Sequence, residues 1–420
     1  MKMKSVYCYM LAGLMLSASS CSSWLSEDDA PVMSYDYYET EAGVNAAITA
    51  AYGFLRWGVG GERFDVLTEL GTDLFTEGED GSNRESYNKY ATQLNPDDGI
   101  LYEMWENHYK GISDANIAMQ KIRDSQDLLE SVKIQSYAEM QFIRAYLYFD
   151  LVQQFGRIPL VTEGSFEIRT DFKRAPIADV YNVIISDLRN AAENLPEKAS
   201  VLGRATRYSA AHLLAKVYLT RGSAVKDARG QKATDMDSTL YYAEQVINSG
   251  AYALQENFSS LWDIKNQGNS EAVFAVQFTT EPMFNGDGNK QHLYWLSWYE
   301  DQPGMLRDIE NGRPYRRHVA TKKTMDDLFD RLHDSRFYKS FKWVYYANNV
   351  STLPVWESLS YDGNVYFTPD PSKGQIEGEL KFQHGDTAIY YTMQETGLLL
   401  IVTRCGNCVL TILILISLAK

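Results

Sequence analysis

Two short stretches set aromatic rings beside carboxylates, amides and arginines, the groups needed to hold a polyhydroxylated ligand. Residues 294–301 (YWLSWYED) supply Trp295, Trp298 and Tyr299 inside a loop-rich region. Residues 73–90 (DLFTEGEDGSNRESYNKY) supply Asp73, Asn83, Arg84, Tyr87 and Tyr90 in a polar, turn-rich run. Sugar rings are amphipathic discs. Their C–H faces stack on aromatic faces, and their hydroxyls pair with carboxylates, amides and guanidinium groups. Trp295 and Trp298 are three apart, so they share one side if the segment is helical. A competing reading is structural, because tryptophans are mostly buried and would anchor an irregular lobe. Trp57 and Trp356 are weaker candidates of the same kind.

Catalytic chemistry finds less support. A glycosidase needs two carboxylates held across the scissile bond, one of them with a raised pKa. No aspartate or glutamate stands in a context that singles it out. The six histidines (His108, His212, His292, His318, His333, His384) include no HExxH and no metal-ligand spacing. His108 and His212 fall within helical patterns, as packing or capping residues. No GxSxG or Walker motif is present, and residues 58–61 (GVGG) have neither the preceding strand nor the following lysine of a phosphate cradle. The expectation is therefore no catalytic residue, no metal and no organic cofactor.

Cys21 carries another chemistry. Lys2 and Lys4 precede an apolar run over residues 6–16, the length of an export signal's hydrophobic region and too short to span a bilayer. Ser17, Ala18, Ser19 and Ser20 then lead to Cys21, the pattern of a bacterial lipoprotein cleavage site whose cysteine is acylated. One acyl chain binds a membrane only marginally, and several anchor it stably. Residues 22–404 contain no cysteine, so this body is held by its core without disulfides. Lysine and arginine number 40 against 55 acidic residues, a net charge of −15 that lacks the footprint of a nucleic-acid binder.

The elements that must position these groups are mostly helices. Val44, Ala47, Ile48, Ala51 and Leu55 recur at i, i+3, i+4 spacing, which predicts a helix over 40–57 with Thr40 as N-cap. Similar patterns predict helices over 101–122, 136–155, 177–195, 209–219 and 238–247. The 136–155 segment has two apolar stripes and so belongs at the centre of the bundle. Gly156 and Pro159 end it. Small alanines (Ala210, Ala211, Ala215, Ala243) alternating with Tyr and Leu resemble tetratricopeptide units, with residues 222–237 inserted into one turn. Beyond 250 the pattern changes. Residues 271–278 (EAVFAVQF) alternate like a strand, 281–317 are rich in Gly and Pro, 325–332 predict a short helix and 337–346 a strand.

Four ordered motifs resemble the SusD/RagB family. Residues 141–161 (QFIRAYLYFDLVQQFGRIPLV) match its arginine-alanine helix and X-Pro-Leu turn through Arg144, Ala145, Gly156, Pro159 and Leu160. Residues 203–219 (GRATRYSAAHLLAKVYL) are the second match. YYAEQVINSGAYAL followed by NSEAVFAVQF is the third. DSRFYKSF resembles the Asp-X-Arg-Phe element, with Ser335 where proline is common. The resemblance covers roughly residues 21–395. It implies a mainly α fold, a tetratricopeptide-like helical scaffold carrying an irregular, loop-rich α+β lobe. It also implies a glycan-binding surface lipoprotein of the Bacteroidetes outer membrane, facing outward, that pairs with a SusC-like TonB-dependent transporter. The acidic tether SSWLSEDD after Cys21 fits such export. The expected layout is a signal peptide (1–20), a helical region (21–250), a ligand-binding lobe (251–395) and an aberrant apolar tail (396–420). A surface glycoside hydrolase and a helical scaffold for peptides or proteins are the alternatives. The family pattern continues with an R-X-A-E helix where this chain reads RCGNC. A one-base shift at Cys405 restores alanine there, so a frameshift is expected.

Overall fold

The structure is a computed structural model and describes residues 40–78, 80, 84–90, 94–165, 169–225, 229–296, 299–301, 306–309, 312–330, 333–342, 344–346, 359–361, 364–367, 387–390 and 400–401. Cys21, Asn83, Trp298, Trp356 and the tail other than 400–401 lie outside the described residues.

Helix α1 (Glu41–Gly53) begins where Thr40 accepts a hydrogen bond from the Gly43 amide at 3.1 Å. Its stripe of Val44, Ile48 and Ala51 is buried, and Leu55 extends it into a 3₁₀ turn, Phe54–Arg56. Two short helices follow, α2 (Trp57–Gly60) and α3 (Glu62–Thr68), then strand β1 (Phe75–Glu77) and helix α4 (Glu85–Lys89). The array proper is α5 (Gly99–Asp124), α6 (Glu130–Phe155), α7 (Ile177–Asn194), α8 (Arg207–Gly222) and α9 (Asp235–Ile247). Each helix of the array packs along its successor, and α1 lies on α5 and α6. The expected central helix is central: both stripes of α6, including Phe142, Ala145, Phe149, Ile143, Leu147 and Leu151, are buried. It stops at Gly156, whose φ of +69° suits glycine. Among the described residues no helix is long and apolar enough to cross a membrane.

One polar network ties the array together. Arg144 on α6 donates from Nε and Nη2 to the two carboxylate oxygens of Asp187 on α7, both at 2.8 Å. Its Nη1 donates to Asn116 Oδ1 on α5 at 2.7 Å and to the Thr162 carbonyl at 3.0 Å. The turn after Gly156 is held from the same side. Tyr109 donates to the Pro159 carbonyl at 2.7 Å and Asn116 to that of Val161 at 2.9 Å, and Tyr148 both donates to and accepts from Val161 at 2.8 Å. The arginine-alanine helix and the X-Pro-Leu turn of the family motif are thus one bonded unit.

The second lobe contains α10 (Pro282–Asn285), α11 (Gln291–Tyr294), β2 (His318–Ala320), α12 (Lys322–Asp326), α13 (Arg336–Ser340), β3 (Phe341–Lys342), β4 (Val344–Tyr346), β5 (Leu359–Tyr361), β6 (Asn364–Phe367), β7 (Thr387–Tyr390) and β8 (Leu400–Ile401). Its described strands form antiparallel two-stranded pairs, β1–β2, β3–β8, β4–β7 and β5–β6. Three expectations are corrected. Residues 271–278 form no strand. The segment runs unladdered along the helices, with Phe274 edge-on to Phe142 at 5.1 Å, and the Gln277 carbonyl takes the Arg56 side chain at 2.9 Å. The helix expected at 325–332 is α12, earlier because Thr321 caps it through the Thr324 amide. Residues 337–346 divide into α13, β3 and β4, because Asp334 accepts from the Arg336 amide at 3.0 Å and starts a helical turn.

Removing one partner of a buried ion pair strands a charge and costs about 3–5 kcal/mol. Asp187→Ala should lower the unfolding free energy by that amount, read by urea denaturation. The double substitution Arg144→Met with Asp187→Leu should recover most of it. A loss under about 1 kcal/mol in the single variant would show that the pair is dispensable.

Candidate functional site

The two aromatic and polar stretches, more than 200 residues apart in the chain, meet where the Trp295 ring stands edge-on to Phe75, and Phe75 begins a strand that pairs with residues 318–320. Phe75 faces Ala320, Thr76 faces Val319 and Glu77 faces His318. The ladder continues past both ends: Gly78 donates to the Arg317 carbonyl at 2.8 Å, and Thr321 to that of Leu74 at 2.9 Å. A side chain at Gly78 would sit 2.3 Å from the Arg316 carbonyl oxygen, so this approach demands glycine. The pairing also crosses the expected division at residue 250, because β1 belongs to the first region and β2 to the second.

Around this junction the sequence-derived residues fall in distinct places. Asp73 is exposed and bridges to Lys323 at 2.5 Å, and its carbonyl accepts from Thr321 at 2.6 Å. The hydrogen bond to the Lys323 ammonium and its charge hold the Asp73 carboxyl below the usual range. Trp295 is half-buried just past α11. Its indole donates to Gln291 Oε1 at 2.9 Å, with the ring edge-on to Phe75 at 5.0 Å and tilted on His318 at 4.9 Å. Arg84 bonds Glu62 at 2.9 Å. Tyr87 is buried against Val66, Leu70 and Ile100, and burial together with nearby Asp98 raises its hydroxyl pKa. Tyr299 is fully buried and is not presented to a ligand. Its hydroxyl accepts from the Asp308 amide at 3.0 Å and donates to the Gly312 carbonyl at 2.5 Å, pinning a loop. The aromatic ring offered to solvent is Tyr90, 71% exposed, whose hydroxyl reaches the Gly71 carbonyl at 3.2 Å.

Several supporting residues escaped the sequence reading. Helix α3 presents Glu62 and Asp65 one turn apart. Glu62 faces Arg84 and, at 3.8 Å, Arg317, which in turn lies 3.6 Å from Asp80. Asp65 lies 3.7 Å from His318, which is completely buried. Burial pushes the Asp65 carboxyl well above the ordinary aspartate range. Burial, with Arg84 and Arg317 adding repulsion, pushes His318 down to about 3. Gln291 links Trp295 to the Gly61 carbonyl at 3.3 Å. Asn88 Oδ1 gathers the Gly71 amide, the Thr76 hydroxyl and the Glu77 amide at 3.3, 3.0 and 3.2 Å. Only an i, i+3 spacing of acids and an Asn in a turn-rich run hinted at these roles. Among the described residues, no three His, Cys, Asp or Glu side chains come together as metal ligands.

The backbone here is strained. Among the described residues, the two non-glycine positions with positive φ are Tyr90 at 51° and Arg316 at 53°. Both flank the β1–β2 junction. Each such residue costs on the order of 1–3 kcal/mol, and strain of this kind gathers at ligand clamps. The site is a nearly charge-balanced junction: Asp73–Lys323, Glu62–Arg84 and Glu77–Lys89 pair their charges. Such a surface can stack a ring and exchange hydrogen bonds with an uncharged polar ligand.

A family model described as SusD-like, starch-binding associating with outer membrane, matches residues 33–219. SusD-like protein P25 of Formosa agariphila is 24% identical over 445 residues, covering 97% of this chain and 79% of that protein. SusD-like protein P2 of the same organism is 27% identical over 341 residues, 74% of this chain and 63% of that one. Among solved structures, a laminarin-binding SusD-like protein superposes with a TM-score of 0.60 at 24% identity, covering 72% of this chain and 66% of that chain. The chain thus spans less than two thirds of some of these proteins, and the structural likeness bears on the fold. The matched motifs lie on the helical array and its bonded turn, and it is over this part that the chain is similar to SusD-like proteins.

Proposed function

We propose that this chain is a cell-surface lipoprotein that captures a glycan at the β1–β2 junction and delivers it to a SusC-like TonB-dependent transporter. Lipid on Cys21 holds it on the outer membrane, facing outward. Residues 21–250 are the helical platform and 251–395 the greater part of the ligand lobe. The observation that carries the reading is the pair of strained residues, Tyr90 and Arg316, at the place where the two aromatic and polar stretches meet. Tyr90 closes α4 in the left-handed region, with its hydroxyl on the Gly71 carbonyl and its ring exposed to solvent. Exposed Asp73 and half-buried Trp295 lie on the same junction, and the paired Arg84–Glu62 bridge stiffens the loop that leads to Tyr90. The family description adds starch binding and outer-membrane association, and two of the similar proteins are named as laminarin-binding and starch-binding.

Affinity electrophoresis in gels cast with neutral polysaccharides tests capture. Wild-type protein should be retarded by at least one of them. Tyr90→Ala should weaken that retention roughly tenfold, ~1.4 kcal/mol, without lowering the melting temperature, and Trp295→Phe should retain more binding than Trp295→Ala. Undiminished retention in both alanine variants would move the site elsewhere.

The junction also carries a pH dependence. His318 has a folded-state pKa of about 3, below its ordinary 6.5. Its contribution is therefore present above pH 6.5 and is lost as pH falls toward 3, because the unfolded chain binds a proton that the fold refuses. Asp65, raised by burial, works in the opposite sense, and His212, pushed down to about 4 by burial, works in the same sense as His318. The difference between wild type and His318→Leu isolates one group. The variant should gain relative stability on acidification from pH 6.5 to 4, by up to ~1.4 kcal/mol per pH unit, read by urea unfolding across that range. Parallel pH profiles would contradict the assignment.

A further inference from the structure

The described part of the insert, 222–225 and 229–237, has no role in the capture site, yet it is firmly built. Arg221 at the end of α8 donates from Nε and Nη2 to the two oxygens of Asp235 at 3.0 and 2.6 Å, and both side chains are buried. The Lys232 amide also donates to Asp235, at 2.9 Å, and Arg229 donates to the Thr220 carbonyl at 2.6 Å. Gly230, at a φ of +64°, presses against Ala178 on α7, where an added Cβ would come within 2.6 Å of the alanine methyl. The insert therefore crosses from α8 back to α7 before α9 begins, and it walls a groove of about 460 Å³.

The lining of this groove differs in charge from the rest of the molecule. Arg189 on α7 and Lys232 on the insert both line the groove and are exposed, and among the described residues neither lies within ion-pair distance of a carboxylate. The Arg189 guanidinium instead sits 5.8 Å from the Tyr218 ring centre, near the Tyr218 and Tyr242 hydroxyls. Arg221 is neutralised by Asp235, and Glu193 is the carboxylate that lines the groove. The remaining polar lining is amide and hydroxyl, including Asn190, Ser186 and Ser238, with little apolar surface for a peptide's side chains. In a chain of net charge −15, two unmatched cations in a concave site favour an anion. Arginine and lysine both bind carboxylate and sulfate oxygens, the former bidentately.

We infer that this groove is a second ligand site, for an anionic saccharide whose carboxylate or sulfate group lies between Arg189 and Lys232 and whose hydroxyls meet the amides and hydroxyls of α7 and α9. The inference rests on the glycan reading of the protein but not on the location of the capture site. Isothermal titration of the full chain with trigalacturonate, a sulfated galactose tetrasaccharide and uncharged maltotriose tests it. At least one anionic probe should bind, more weakly as NaCl is raised, and the preferred probe tells uronate from sulfate ester. The double substitution Arg189→Ala with Lys232→Ala should weaken that binding roughly tenfold or more, leaving the melting temperature and the retention by neutral polysaccharide unchanged. Lys232→Glu alone should weaken it in the same direction. Tyr90→Ala should leave it intact. Anionic binding that survives the double substitution, or that is lost in Tyr90→Ala instead, overturns the inference, as does an absence of anionic binding in the wild type. In the last case, continued retention by neutral polysaccharide leaves the capture reading standing. Loss of that retention alone leaves the groove standing without the junction.

Discussion

A buried guanidinium must satisfy its donors or abandon its charge, and Arg144 cannot abandon its charge. Desolvation opposes it, and only the Asp187 carboxylate, the Asn116 amide oxygen and the Thr162 carbonyl, all in reach at once, make the position tenable. Those partners come from α7, α5 and the turn after α6, so satisfying one residue fixes the relative placement of three helices. Gln141 adds a further donor to Asp187 at 2.9 Å and itself accepts from Asn190, which carries the network one turn along α7. Apolar packing around α6 supplies most of the burial, but packing alone tolerates sliding. The bonded network selects one register.

The candidate junction inherits its geometry from that array. Helix α1 is tied to α6 by Tyr52, which donates to Glu139 at 2.7 Å and accepts from the Ala205 amide at 2.7 Å, while Arg204 closes the group on Glu139 at 3.1 Å. With α1 fixed, the 3₁₀ turn, α2 and α3 follow without a long linker. Gly60 then admits the Phe278 ring so closely that an added Cβ would lie 2.5 Å from it. The Gly60 carbonyl accepts from Lys290 and that of Gly61 from Gln291, so the end of α2 directly seats the segment that bears Trp295. A loop-built site is thereby held by helix ends, which is how irregular backbone can keep strained residues such as Tyr90 and Arg316 in place.

The helices were legible because their buried residues keep a helical period that survives in the residue types, on one stripe in α1 and on two in α6. Thr40 and Gly156 marked helix ends for equally local reasons. The 271–278 segment misled because alternation reports burial on a pleated surface, whereas Val273, Phe274, Ala275 and Val276 are all buried and the segment has no strand beside it. The junction was legible only in part. Residue types identified the 73–90 half and Trp295, but nothing marked 318–320, and its pairing with residues 75–77 is a long-range choice that neither segment encodes alone. The division of aromatic roles was hidden for the same reason. Tyr87, Tyr90 and Tyr299 look alike as residues, and only the packing buries two of them and presents the third.

Charge pairing separates the junction from the groove. At the junction nearly every charge is matched by a neighbour, and matched charges hold loops in position without selecting the sign of a ligand. In the groove the one strongly matched pair, Arg221 with Asp235, is buried and structural, while the cations on the walls stand apart from carboxylates. A long insert between two helices need not be tightly fastened, because lengthening a loop costs little in closure entropy. This one is fastened at Ala178, Thr220 and Asp235, on either side of and next to Lys232, which lines the groove together with Arg189. Such rigidity contributes little to an array already held by its core, but it is what a preorganised binding surface requires.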